Sequence, residues 1–358
     1  MKRFLQIHML TSYPPSNLNR DDLGRPKTAV VGGTTRLRIS SQSLKRAWRT
    51  SSVFQEGLGG ISIDGGLGIR SKRIGEDVYE KLKAGGIAEK DAIAWARSIA
   101  GCFGKLKGEK EKLPTVLHIE QLAFVSPEEQ KAIFALTGEL IKAKSAPTEE
   151  QLELLRAENS GADIALFGRM LASDPKFNVE AAAQVAHSFS VQKIVVEDDF
   201  FTAVDDLNKG EEDAGAGHMG DTEFASGIFY TYINIDRKLL NENLKGAGDK
   251  ELAKKAIRAL VQAAATVAPT GKQNSFGSRA YAHYIMAELG DQQPRSLSLA
   301  YVKAVQGDDM LQNSIQSLSD IRDRMEQVYG KCSEAVATMN VLTGEGSLQE
   351  ILNFCVAE

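Results

Sequence analysis

The side chains of this 358-residue chain that could do chemistry are scattered rather than grouped. Its histidines are His8, His118, His187, His218 and His283, and none stands at metal-ligand spacing from another His or from Cys102, Cys332 or Cys355. Core or surface positions are the default for such histidines, and no metal or cofactor is expected. Neither a GxxxxGKS/T phosphate loop nor a GxSxG nucleophile elbow occurs. One GxGxxG match, Gly215 to Gly220, follows Glu211-Glu212-Asp213 rather than a buried strand, so a hairpin tip explains its glycines better than a dinucleotide site. The acid pairs Asp21-Asp22, Asp198-Asp199 and Asp205-Asp206 could hold a divalent metal for phosphodiester cleavage if they converged on one phosphate. Capping and salt-bridging to neighbours such as Arg20 are the alternative, and sequence alone leaves both open.

One charge pattern is more specific. From Leu23 to Gln55 there is no acidic residue, whereas Arg25, Lys27, Arg36, Arg38, Lys45, Arg46 and Arg49 all fall there. A solvated charge run usually mixes its signs; this one excludes acids and ends in a helix carrying Lys45, Arg46 and Arg49 beside hydroxyl and amide donors, which suits contacts to nucleic-acid phosphates. A plain solvated surface is the competing explanation. Phe200-Phe201 would supply base stacking if exposed, and core packing if not.

The elements that must position these residues follow from periodicity. Leu5, Ile7 and Met9 alternate as a strand that Tyr13-Pro14-Pro15 is expected to stop. Leu37-Arg38-Ile39 reads as a short strand, and Ser40-Ser41-Gln42-Ser43 supplies capping hydroxyls before a helix from about Leu44 to Phe54. Residues 57–68 are glycine-dense, and 76–158 read as an inserted helical lobe broken at Val116–Ile119. Ile164-Ala165-Leu166-Phe167 reads as strand-like, Ser188–Val196 as an apolar run, and Phe224–Ile235 as a strand following a polar excursion, together suggesting a protruding hairpin. An Ala-rich helix over Lys250–Val267, a polar loop at Gly271–Phe276 and a strand over Tyr281–Leu289 complete an interrupted α+β sheet domain.

Composition agrees with a globular chain of about two domains: 42% hydrophobic, 25% charged and a formal charge of −4 that excludes a globally basic protein. The three widely spaced cysteines suggest no disulfide framework and fit a reducing cytoplasm. No export or membrane-spanning segment is expected.

Taken together, the motifs resemble a known family. Ser16-Asn17-Leu18-Asn19-Arg20-Asp21-Asp22, Gly32-Gly33, Arg38-Ile39-Ser40-Ser41-Gln42-Ser43-Leu44-Lys45-Arg46-Ala47, Asp163 to Met170, Phe201 to Leu207 and Phe224-Ala225-Ser226-Gly227 stand in the order found in the CasC-type backbone (large repeat) subunits of type I-E CRISPR Cascade complexes. The resemblance implies an RRM-like (ferredoxin-like) palm with an inserted helical fingers lobe and a protruding β-hairpin thumb. Palm segments would be residues 1–56, 161–194 and 224–358, with fingers at 57–160 and the thumb at 195–223.

It also implies a non-catalytic protein that polymerises along CRISPR RNA, presents guide bases to target DNA, and contacts neighbouring copies of itself and other Cascade subunits. Arg20, Lys27, Arg38, Ser40, Gln42, Lys45, Arg46, Arg49, Arg169 and Lys272 would bind RNA, and Met170, Phe201 and Thr202 would form a wedge interrupting the duplex. Thr34 follows Gly32-Gly33 where a member of the family has a basic residue, a departure that bears on one expected phosphate contact. The remaining alternative is a metal-dependent ribonuclease of the same fold using Asp21, Asp22 or Asp205.

Overall fold

A computed structural model of the protein describes residues 1–59, 67–156, 161–171, 174–203, 206, 218–244 and 251–357. In chain order the elements are β1 (Phe4–Ser16), β2 (Thr28–Val31), β3 (Thr34–Ile39), α1 (Ser41–Arg49), α2 (Ser52–Gly57), β4 (Ile69–Ser71), α3 (Ile74–Ala84), α4 (Glu89–Gly101), β5 (Ala123–Val125), α5 (Pro127–Ala143) and α6 (Ala162–Phe167). They continue as β6 (Ala183–Val185), β7 (Ser188–Ser190), β8 (Glu197–Ala203), β9 (His218–Asp236), α7 (Arg237–Asn243), α8 (Leu252–Thr266), α9 (Gln273–Phe276), β10 (Tyr284–Gly290), α10 (Met310–Tyr329), β11 (Ala335–Asn340) and α11 (Leu348–Cys355). Two compact units result: residues 1–54, 185–234 and 260–358, and residues 55–184 and 235–259. Among the described residues the fold is mixed α/β, and no helix is long and apolar enough to cross a membrane.

The first unit is built on one large sheet whose strands run β11-β10-β1-β9-β7-β3-β2. The ladders β1–β10, β10–β11, β7–β9, β3–β7 and β2–β3 are antiparallel. Period-two alternation correctly marks β1, but its polar face is covered too: Gln6 and His8 are as buried as Leu5 and Ile7. A helix explains this, because Ile315 and Leu318 of α10 pack in a cluster with Leu10, Tyr230 and Met286 over that face. The strand also outruns the expected stop at Pro14-Pro15. Its ladder with β10 ends at Leu10↔Tyr284, so these prolines fall where the β10 side makes no demand for an N–H donor.

Beneath α10 the buried polar atoms form a closed network around Glu288. Its carboxylate accepts from Arg295 at 2.6 Å, Arg322 at 2.9 Å and Ser333 at 3.0 Å, and lies 3.2 Å from His8 Nε2. Burial lowers the affinity of His8 for a proton, so the neutral ring donates from Nε2 to Glu288 and accepts the Tyr230 hydroxyl at Nδ1, 2.8 Å away. Burial opposes ionisation of Glu288, yet the hydrogen bonds from His8 and Arg295 outweigh it and hold the carboxyl well below the ordinary range.

The second unit is mostly helical. Val78 and Leu82 of α3, Trp95, Ala96 and Ile99 of α4, and Ile133, Leu136 and Leu140 of α5 share one core, beside a short β4–β5 ladder. Helix α5 starts where its sequence says it must: Ser126 and Glu129 form a reciprocal capping box with Pro127 in the first turn. Residues 164–167 correct the strand expectation, being part of helix α6. A four-residue apolar run carries no period that separates strand from helix. Gly168, at φ +81°, ends the helix in a conformation that favours glycine.

Candidate nucleic-acid interface

The acid-free segment folds into the β2–β3 hairpin and helix α1, both in the first unit. Gly32 and Gly33 turn the hairpin with φ of +57° and +77°, and a Cβ on Gly32 would collide with the Val302 carbonyl. Arg36, counted in the basic run, is fully buried. It donates to the carbonyls of Ser190 (2.9 Å), Val191 (2.6 Å) and Tyr301 (3.1 Å) and to Thr34 Oγ1 (2.8 Å). Thr34 therefore orients an arginine that holds the sheet rather than contacting ligand.

Beyond β3 the chain turns into α1. Ser40 caps it, its Oγ accepting from the Ser43 N–H at 3.3 Å while its own N–H donates to Asn19 Oδ1 at 2.9 Å. Ser41, Leu44, Ala47 and Trp48 form the buried face of α1. Gln42, Lys45, Arg46 and Arg49 are spaced i, i+3, i+4, i+7 and stand together on the opposite stripe, with Gln42 and Arg46 exposed and Lys45 and Arg49 half-buried. No acid sits in the first turn, and Arg46 and Arg49 occupy the last, where the helix dipole favours cations.

The loop of residues 17–27 sets the other wall. Asn17 Nδ2 donates to the carbonyls of Gly24 (2.9 Å) and Glu223 (3.0 Å), and Lys27 N–H donates to the Asn19 carbonyl (2.8 Å). Asp21 Oδ1 accepts the N–H groups of Leu23 and Arg25, each at 2.9 Å, which gives this candidate metal ligand a turn-forming role. Asn19, Arg20, Asp22, Ser43, Thr270 and Gly271 line an open cleft of about 500 Å³. Gly271 packs against the Leu18 carbonyl where a side chain would not fit. Next to it, half-buried Lys272 donates from Nζ to Thr222 Oγ1 at 3.1 Å.

Sequence reasoning missed His187. The register Ile39↔Ser188 carries it opposite Ser40, and Arg38 Nη1 lies 3.1 Å from its Nδ1. Burial first, then the charges of Arg38, Lys27 and Lys45, lower its affinity for a proton. The contact joins residues 149 apart, and no spacing within the sequence signals it.

The β8–β9 ladder pairs Glu197↔Phe224 through Ala203↔His218. Phe200 and Phe201 are 67% and 41% exposed, which removes the core alternative for both. The Phe201 ring lies over Gly220, whose added Cβ would stand 2.6 Å from Cζ, so one ring face is seated on backbone. Thr202 is exposed and pairs with Met219, itself 63% exposed. In the second unit Met170 is 82% exposed beside a small cleft with Lys105 and Leu122.

Arg169 is a correction. Its guanidinium is buried against Glu129 at 2.8 Å and donates to the Phe177 and Arg156 carbonyls, so it holds the unit together and has no surface for RNA. Among the described residues no three His, Cys, Asp or Glu side chains gather in a metal-binding group. Asp205, residues 207–217 of the expected thumb and the Gly215–Gly217 part of the GxGxxG match lie outside the described residues.

The family model described as CT1975-like protein matches residues 5–353. A chain of a solved structure described as "CRISPR RNA-guided surveillance complex, pre-nicking" is 32% identical, over 96% of this chain and 94% of that one, with a TM-score of 0.82. A chain of another, described as "CRISPR RNA-guided surveillance complex", is 25% identical over 99% of this chain and 100% of that one, with a TM-score of 0.74. No curated protein matches.

Proposed function

The chain belongs to the CT1975-like protein family, and from that premise we propose that it is a CRISPR RNA-binding, non-catalytic subunit of the CasC type in a type I-E Cascade complex. In this reading residues 1–56, 161–194 and 224–358 are an RRM-like palm, 57–160 the fingers and 195–223 the thumb. Copies associate head to tail along the guide in the cytoplasm, flanked by other Cascade subunits. The protein grips the sugar-phosphate backbone and leaves sequence to base pairing between guide and target DNA.

The observation that carries the reading is the cationic stripe Gln42, Lys45, Arg46 and Arg49 on α1, continued by Ser40, Lys27 and Arg20 toward an open cleft. Backbone contacts need a row of donors, and the α1 stripe supplies one with no carboxylate in the helix. Lys272 and Arg38 extend it, Phe201 on its glycine seat, with Thr202, supplies surface for an unstacked base, and Met170 exposes apolar surface of its own. The experiment is stepwise assembly. RNA strands of increasing length are mixed with excess protein, and the mass of each complex is read by analytical ultracentrifugation. Protein copy number rising in steps with RNA length is expected; a fixed single copy at every length overturns the polymerising role.

A further inference from the structure

We propose that His187 is a direct ligand of an RNA phosphate, donating from Nε2–H into the surface formed by Arg38, Lys27 and Lys45. This rests on the RNA-binding reading above and adds to it a residue that no motif assigns. A guanidinium can only donate, so the 3.1 Å contact from Arg38 Nη1 requires Nδ1 of His187 to be the acceptor. The ring proton is thereby fixed on Nε2. His187 is exposed and stands opposite Ser40, the cap of the helix that carries the cationic stripe.

The charges acting on the ring come from three elements: Arg38 on β3, Lys27 in the loop before β2, and Lys45 on α1. All are cations. Together with partial desolvation they lower the affinity of His187 for a proton in the free protein. A bound phosphate reverses that balance: its negative charge favours imidazolium, whose new proton goes onto Nδ1 and releases Arg38 Nη1 to donate to the phosphate, while Nε2–H makes a charge-assisted hydrogen bond. Binding therefore takes up a proton, and affinity rises as pH falls through the bound-state pKa. Each unit by which the bound pKa exceeds the free one is worth about tenfold in affinity at low pH.

The test uses the full chain and a 5′-fluorescein-labelled single-stranded RNA, with binding followed by anisotropy from pH 8.5 to 5.5 at constant ionic strength. For the wild type, affinity is expected to rise about tenfold or more across that range. His187→Gln keeps a side-chain donor but cannot titrate, so it should bind within about threefold of wild type at pH 8.5 and lose most of the rise. His187→Ala should bind more weakly at every pH. The other histidines are common to both proteins, so the difference between wild type and His187→Gln is the readout. If His187 serves only to steady Arg38, the two pH profiles coincide and the inference is overturned while RNA binding stands. If the wild type does not bind RNA at all, the RNA-binding reading falls and takes this inference with it.

Discussion

Truncating Phe201 separates a stacking surface from a packing role. Full burial of a Phe side chain is worth roughly 1.5–3 kcal/mol. Phe201 retains 41% of its exposure and lies on a surface ladder, so Phe201→Ala forfeits roughly 1–2 kcal/mol and opens no cavity. At about 2–4 °C per kcal/mol for a unit of this size, the melting temperature of the RNA-free protein should fall by only a few degrees. Phe229 provides the internal standard: it is 2% exposed and packs edge-on against Tyr13, with ring centroids 5.6 Å apart. Its truncation should cost about 3–5 kcal/mol and produce a larger melting loss. A base stacked on Phe201 contributes about 1–3 kcal/mol, so RNA affinity should drop about 5- to 150-fold in Phe201→Ala. Differential scanning fluorimetry and anisotropy on the same preparations supply both numbers. A melting loss equal to that of Phe229→Ala, or unchanged RNA affinity, refutes the stacking assignment.

Lys45→Ala should weaken all RNA sequences alike and lower the log–log salt slope by about 0.7, read from titrations between low and moderate salt. Arg169→Ala leaves Glu129 buried without its partner and should destabilise the protein by about 3–5 kcal/mol in urea, with the RNA salt slope of the folded fraction unchanged. Glu288→Gln strips the anion from between His8, Arg295 and Arg322 and should cost a similar amount. Because the Glu288 carboxyl is held below its ordinary value of 4.5, its stabilisation is complete above that pH and drains away as pH falls below it. The acid limb of the wild-type stability profile should thus be shallower in Glu288→Gln.

What could be read from the sequence was local. The alternation of Leu5, Ile7 and Met9, the cap at Ser40 and the acid-free run each lie within a few turns of chain, where period and composition act directly. The stripe on α1 was legible only in part: a helix expected from about Leu44 left Gln42 among the capping residues, whereas α1 begins at Ser41 and carries Gln42 on the same face as Lys45, Arg46 and Arg49. Arg36 and Arg169 were not. Whether a cation faces solvent or a set of buried carbonyls depends on strands and helices brought together by the sheet, as in the contact from Arg36 to Tyr301. His187 was invisible for the same reason, its neighbours being supplied by the β3–β7 register. Residues 164–167 failed differently: an apolar run shorter than two helical turns has no period to read.

The central claim, that this chain holds CRISPR RNA without cutting it, is tested most directly by the nucleic acid it carries. The affinity-tagged protein is isolated from cells bearing its own CRISPR array, incubated in excess magnesium, and its RNA sized and sequenced. The account requires intact RNA of repeat and spacer sequence whose length does not change with incubation. RNA that shortens in magnesium, and stops shortening in Asp21→Asn or Asp205→Asn, would contradict it in favour of a ribonuclease, and a preparation free of RNA would contradict it outright.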